Sequence, residues 1–217
     1  EPIKDIARVL SRYVNGIMAR TFEHSAINEL AAFATVPVIN ALTDWSHPCQ
    51  AMADVFTISE HFEEIKGIKI AFIGDGNNVA RSLAFACAKL GMKITIASPA
   101  GYELDAESIE KANQISADSV RQTNDPGAAV LDADVIYTDT WVSMGQEEQK
   151  QKRQADFAGF QVNADLVKSA PAGAKIMHCL PAYRGFEITD EVAESPNSIM
   201  FDQAENRLHS QKALMLW

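Results

Sequence analysis

Short apolar runs at Lys69 to Ile73, Lys93 to Ala97, Val120 to Gln122, Asp134 to Thr138, Lys175 to Met177 and Ile199 to Phe201 constrain this chain most, because helical or charged segments mostly separate them. That alternation is the pattern of a parallel, doubly wound α/β sheet. In such sheets ligands bind beyond the carboxyl ends of the strands. The run ending at Met177 leads directly into His178-Cys179-Leu180-Pro181. It therefore delivers an imidazole and a thiol to that edge. The alternative is a buried strand end in which the Cys is only a small hydrophobe.

The first forty residues read as a smaller unit of the same kind. Ile6, Val9, Leu10 and Tyr13 keep helical spacing after Pro2, and Asn15-Gly16 ends the helix. A short strand from Ile17 to Thr21, a helix from Ser25 to Phe33 and a strand from Val36 to Asn40 follow. Two strands make a poor sheet. With Glu1 in place of an initiator Met, the expectation is that a preceding segment completes this core. A long helix through Ala51, Val55, Ile58 and Phe62, with Ser46 as N-cap and a stop near Gly67, reads as a connector to the second lobe.

A length of 217 residues, 47% of them hydrophobic, is enough to bury a sizeable core. The formal net charge of −10 argues against nucleic acid or an anionic membrane as partner, while leaving room for a local phosphate pocket. No apolar stretch approaches the ~20 residues of a membrane span. Cys49, Cys87 and Cys179 are odd in number and widely spaced. They fit a reducing compartment better than a disulfide framework or a zinc site, and the cytoplasm is the default. The charged run from Gln146 to Arg153 reads as a solvated helix face or mobile loop.

The turn Gly74-Asp75-Gly76-Asn77-Asn78, between a strand and a helix, invites comparison with a dinucleotide-binding loop. It fails, because Val79 stands where a third small residue is needed and the next strand ends in Ala97-Ser98 rather than an acid. Asn78, at a helix start, could help hold a carboxylate or could be a plain N-cap. Arg20, the Asn77-Asn78 turn, Asp139 with Ser143-Met144-Gly145, and His178-Cys179 all fall at strand ends, so they share one crevice. His47 and Gln50 join them at the head of the connector helix. Each has a plainer reading: Arg20 in a surface ion pair, His47 or Asp139 as a cap.

Asp44-Trp45-Ser46-His47-Pro48-Cys49-Gln50 with Ala51-Met52-Ala53-Asp54, Gly74 to Asn78, Asp139-Thr140-Trp141-Val142-Ser143-Met144-Gly145, His178-Cys179-Leu180-Pro181 and Glu205-Asn206-Arg207 resemble the ordered motif set of the ornithine carbamoyltransferases, within the aspartate/ornithine carbamoyltransferase family. The resemblance runs from Glu1 to Trp217. Ser143-Met144-Gly145 is its discriminating piece, since the related aspartate enzymes read their substrate with more basic residues. It implies two parallel α/β lobes: a partly present carbamoyl phosphate-binding domain (1–46), a connector helix (47–64), an ornithine-binding domain (65–203) and a C-terminal helix (204–217) returning to the first lobe. It also implies that the family's main phosphate-binding element, a Ser-Thr-Arg-Thr-type helix start, lies upstream of this chain, so that the chain as given would be impaired.

The implied reaction carries a carbamoyl group from carbamoyl phosphate to the δ-amine of L-ornithine, giving citrulline and phosphate in arginine biosynthesis. By resemblance Arg20, His47 and Cys179 are catalytic, and Arg20, His47, Gln50, Cys179, Leu180 and Arg207 bind carbamoyl phosphate. Asn78, Asp139, Ser143 and Met144 surround ornithine, with no metal or cofactor. Cys179 is expected to orient the amine or relay its proton without forming a covalent intermediate. A homotrimer is implied, in the cytoplasm or in a mitochondrial matrix. The alternatives are a sister enzyme acting on putrescine or N-acetylornithine, or a noncatalytic binding remnant.

Overall fold

The computed structural model describes residues 1–142 and 147–216. Helix α1 (Ile3–Leu10), strand β1 (Ile17–Arg20), helix α2 (His24–Phe33) and strand β2 (Val38–Leu42) form a small unit in which β1 and β2 pair in parallel. Ala7, Ile17 and Leu30 are its buried centre, while Tyr13, Met18 and Phe22 face outward. Of the α1 residues in helical register, Val9 is exposed and Tyr13 lies beyond the helix.

Helix α3 (Pro48–His61) connects this unit to the larger one. It differs from the sequence expectation at both ends. His47 occupies the N-cap position and makes no side-chain capping bond, with Pro48 at the first turn, where a missing N–H costs nothing. The Ser46 hydroxyl instead accepts from Asn40 Nδ2 at 2.9 Å. The helix ends at His61 rather than near Gly67, because Phe62 turns extended to pack on the core of the second lobe.

Strands β3 (Lys69–Ile73), β4 (Lys93–Ala97), β5 (Val120–Thr123), β6 (Val135–Thr138) and β7 (Lys175–His178) make one parallel sheet in the order β5-β4-β3-β6-β7. Helix α4 (Asn78–Leu90) and helix α5 (Ala106–Ile115) cross on one face, and α6 (Pro126–Val130), α7 (Lys150–Asp156) and α8 (Ala164–Lys168) belong to the other. Because side chains alternate along a strand, Ile70, Phe72, Val135, Tyr137 and Met177 enter the first layer, while Ala71, Ile73, Ile136 and Ile176 enter the second. Both faces are covered, as parallel sheets require.

Strand order reverses at β3: β4 lies on one side and β6 on the other. The crevice of an open α/β sheet lies at such a switch point. The turn after β3 and the loop after β6 therefore flank it.

The run Ile199 to Phe201 is not a strand. Ser198 makes a single bridge to Ile176, and Ile199 N–H donates to the Ile176 carbonyl. Helix α10 (Met200–Leu216) begins immediately after a four-residue helix α9 (Asp190–Ala193) and its turn. Turning helical there places Gln203 under β7, where its Oε1 accepts the otherwise open His178 N–H at 2.9 Å. Helix α10 starts ahead of residue 204 and packs along α3. No helix among the described residues is long and apolar enough to cross a membrane.

Candidate active site

A cavity of about 620 Å³ opens between the carboxyl ends of β1 and β2 and those of β3, β6 and β7. Arg20, His47, Gln50 and Arg207 line one side, and Asn78, Asp139, Cys179 and Leu180 the other. Of the residues singled out from sequence, Arg20, His47, Gln50, Asn77, Asn78, Asp139, Cys179, Leu180 and Arg207 share this cavity, while His178 does not line it and Ser143, Met144 and Gly145 lie outside the described residues.

On the first side the chemistry suits an oxyanion. Neither Arg20 nor Arg207 forms an ion pair with a carboxylate among the described residues, so Arg20 is not the surface-pair residue of the plainer reading. Arg207 Nη1 donates to Gln50 Oε1 at 2.7 Å, while its Nε is buried without a partner. His47 is 7% exposed, and its Nδ1 also lacks a partner. Burial, then the charges of Arg207 and Arg20, push its pKa down to about 3. The ring is therefore neutral at physiological pH and can donate one N–H without repelling the two cations.

The second side is built on the turn after β3. Asn77, not Asn78, is the N-cap of α4: its Oδ1 accepts from Val79 N and Ala80 N at 2.9 and 3.1 Å. Its Nδ2 donates to Asp139 Oδ2 at 2.8 Å. This frees Asn78 to reach across the crevice, where Nδ2 donates to the Thr43 carbonyl at 2.6 Å and keeps a second N–H for a ligand. Asp139 Oδ1 accepts from Thr140 N at 2.7 Å and from Cys179 Sγ at 3.0 Å. Burial and the Asp139 charge both raise the Cys179 pKa well above that of an ordinary thiol, so the group is a thiol and not a thiolate.

His178 does not share the cavity. It is fully buried, with Nε2 3.2 Å from Glu187 Oε1 and Nδ1 accepting from Leu180 N at 2.9 Å. Strand alternation explains this: adjacent residues point to opposite faces, so the imidazole holds the loop while the thiol meets the crevice. In the Gln146 to Arg153 run, residues 148–152 are exposed, as the solvated reading expects, and Arg153 is the exception. Arg153 is buried and donates through Nη1 to Asp75 Oδ2 and to the Trp141 carbonyl, each at 2.7 Å.

The family model described as the carbamoyl-P binding domain of aspartate/ornithine carbamoyltransferase matches residues 1–60, and the Asp/Orn binding domain matches residues 66–217. The chain belongs to the aspartate/ornithine carbamoyltransferase family. Within this family it is 57% identical to the ornithine carbamoyltransferase of Thermococcus kodakarensis, over 99% of this chain and 69% of that protein. It is 56% identical to that of Bacillus subtilis, over 99% of this chain and 68% of the relative. The solved ornithine carbamoyltransferase of Pyrococcus furiosus superposes with a TM-score of 0.95 at 56% identity, over 99% of this chain and 70% of that one.

Around this carbamoyltransferase cavity, sequence reasoning passed over several contributors. Thr43, Lys150, Tyr183 and Glu187 also line it. Asp54, quoted only as part of a motif, lies behind Gln50 and accepts from its Nε2 at 2.8 Å. The available signal was a carboxylate four residues after Gln50, on the same face of the helix as Ala51 and Ile58. Gln203 and Tyr137 carried no such signal, since their importance depends on where β6 and α10 meet.

Proposed function

We propose that this carbamoyltransferase moves the carbamoyl group of carbamoyl phosphate to the δ-amine of L-ornithine, forming citrulline and phosphate in the anabolic direction. One observation carries the reading. Two guanidinium groups with no carboxylate partner among the described residues and a neutral imidazole face an Asp139–Cys179 pair across a single cavity, in a chain that is 52 to 57% identical to proteins named ornithine carbamoyltransferase. Residues 1–46 and 65–203 would hold the two substrates, with 47–64 as the connector and 204–217 returning from the second part to the first.

The phosphate oxygens bind Arg20 and Arg207, which neutralise the charge that grows on the leaving group. The neutral His47 ring donates to the carbamoyl carbonyl oxygen, and the Leu180 segment closes the same pocket. Donors placed where charge develops are each worth ~100 to 1000-fold in rate. Gln50 acts as an orienter, since both ends of its amide are already engaged by Arg207 and Asp54.

The amine must arrive uncharged, which costs about 4 to 5 kcal/mol at neutral pH for an alkylammonium. Asp139 would raise the pKa of a nearby ammonium, so its role is to anchor the α-ammonium, while Asn78 holds the α-carboxylate. Cys179 keeps its proton directed at Asp139 and offers sulfur lone pairs to the δ-amine. This orients the nitrogen toward the carbon without a covalent enzyme intermediate. The amine proton leaves with phosphate or to solvent. Ser143 and Met144 complete the ornithine side on the strength of the motif.

The test is citrulline formation by the full-length protein, with ornithine, putrescine and N-acetylornithine compared as acceptors. Ornithine should be the preferred acceptor, and Arg20→Ala should lower turnover at least 100-fold. Preference for another amine, or near-normal activity of Arg20→Ala, overturns the assignment. We also propose a homotrimer working in the cytoplasm, and light scattering of the purified protein reads its mass directly.

A further inference from the structure

Behind the cavity wall runs a buried chain of polar side chains whose central members, Asp54, Gln203 and Tyr137, have no role in the proposed reaction. It begins at Arg207, whose Nη1 donates to Gln50 Oε1 at 2.7 Å. Gln50 Nε2 in turn donates to Asp54 Oδ1 at 2.8 Å. Asp54 is wholly buried and also accepts from Gln203 Nε2 at 2.7 Å and from the Tyr137 hydroxyl at 3.2 Å. Tyr137, also wholly buried, packs in the same cluster as Cys179, whose thiol donates to Asp139 Oδ1 at 3.0 Å. One carboxylate, contributed by the connector helix, thus stands between the oxyanion side of the cavity and the amine side.

The direction of these bonds follows from what a carboxylate can do. Ionised, Asp54 only accepts. The Gln50 amide must therefore turn its NH₂ toward Asp54, leaving its carbonyl as the only group presented to Arg207. The guanidinium is held at one corner, with its remaining N–H groups free for a ligand. An amide turned the other way would oppose two donors and release Arg207.

We propose that Asp54 is a positioning residue for carbamoyl transfer, fixing Arg207 through Gln50 and the Cys179 thiol through Tyr137. This rests on the carbamoyltransferase reading above. Burial raises the Asp54 pKa to about 7, against the opposing bonds from Gln50, Gln203 and Tyr137 and the charge of Arg207. The titratable groups facing it are Cys87 of α4, Tyr137 of β6, Cys179 after β7 and Arg207 of α10. Burial raises the first three, which stay neutral near pH 7, so Arg207 is the facing charge. Protonated Asp54 gains a donor, loses its hold on the amide direction, and loosens Arg207 as pH falls below neutral.

The test compares wild type, Asp54→Asn and Tyr137→Phe in the full-length enzyme, scoring citrulline formation against carbamoyl phosphate concentration from pH 5.5 to 8.5. Thermal melting confirms that each variant is folded. Wild type should show KM for carbamoyl phosphate rising as pH falls through 7. Asp54→Asn should raise that KM about 10-fold or more at pH 8 and flatten its pH dependence, since the titrating group is gone. Tyr137→Phe, which preserves the ring, should leave KM for carbamoyl phosphate within about 3-fold and lower kcat at saturating ornithine. A folded Asp54→Asn enzyme with wild-type KM and an unchanged pH profile overturns the inference. A wild-type protein that makes no citrulline overturns the functional reading instead.

Discussion

Cys179 Sγ donates a 3.0 Å hydrogen bond to Asp139 Oδ1, joining the ends of β7 and β6 across 40 residues of sequence. The carboxylate and burial together keep the sulfur protonated. Alkylation needs the thiolate, so iodoacetamide at pH 8 should modify Cys179 at least about tenfold more slowly than a free thiol. Asp139→Asn removes the repelling charge and should accelerate labelling, read by mass spectrometry of the peptide that carries Cys179. In turnover, Cys179→Ser retains a donor to Asp139 and should lose less rate than Cys179→Ala, for which a loss of about 10 to 100-fold is expected.

Two buried groups give the stability curve opposing slopes. His47 has a folded pKa of about 3 against 6.5 for the free side chain, so its contribution is present above 6.5 and is lost as pH falls toward 3. Asp54 has a folded pKa of about 7 against 3.8, so its contribution is present below 3.8 and is lost as pH rises through 7. Between pH 4 and 6.5 the two offset each other. Asp54→Asn should therefore steepen the loss of stability on acidification, and His47→Gln should reduce or reverse it. Urea midpoints taken at half-unit pH intervals across that window check both signs.

Arg153 and Asp75 form a buried ion pair at 2.7 Å, with Arg153 also over the Tyr102 ring at 4.8 Å from its centroid. Removing one partner strands a buried charge. Arg153→Met should destabilise the protein by about 3 to 5 kcal/mol, and Arg153→Met with Asp75→Asn should recover part of that. Equal denaturant midpoints for the single and double variants would contradict this account.

Gly76 has no room for a side chain, because an added Cβ would lie 2.1 Å from the Leu104 backbone nitrogen. Its own N–H donates to the Tyr102 carbonyl at 2.7 Å, so the turn and the 101–104 loop are in direct contact. Gly76→Ala must push one of them aside. We expect a stability loss of at least about 2 kcal/mol, together with a lower kcat as Asn77 and its bond to Asp139 move. Calorimetric melting and citrulline assays on one preparation check the two effects together.

Where the sequence was legible, the information was local. Strands β3, β4 and β6 are bounded by Gly74, Gly91 and Asp139, and their apolar composition and turn chemistry mark them without reference to any partner. Gly91 ends α4 in the left-handed conformation, with φ of 72°, where a residue without Cβ is unstrained. The cavity residues Arg20, His47, Gln50, Asn78, Asp139 and Cys179 were legible because each stands at or near a strand end or helix start that the pattern locates, whereas Arg207, in the middle of α10, was legible only through the resemblance to the family's motif.

Tertiary structure decided what those residues do to one another. It made Asn77 the cap and sent Asn78 across to Thr43, turned His178 away from the crevice, buried Arg153 against Asp75, and made the 199–201 run a helix start rather than a strand. Above all, it placed Asp54, Gln203 and Tyr137 in one buried cluster across as many as 149 residues of sequence. Periodicity and turn chemistry act over a few residues and so can be read along the chain. The direction of a buried hydrogen bond depends on which elements the packed core brings within 3 Å, and no local pattern encodes that.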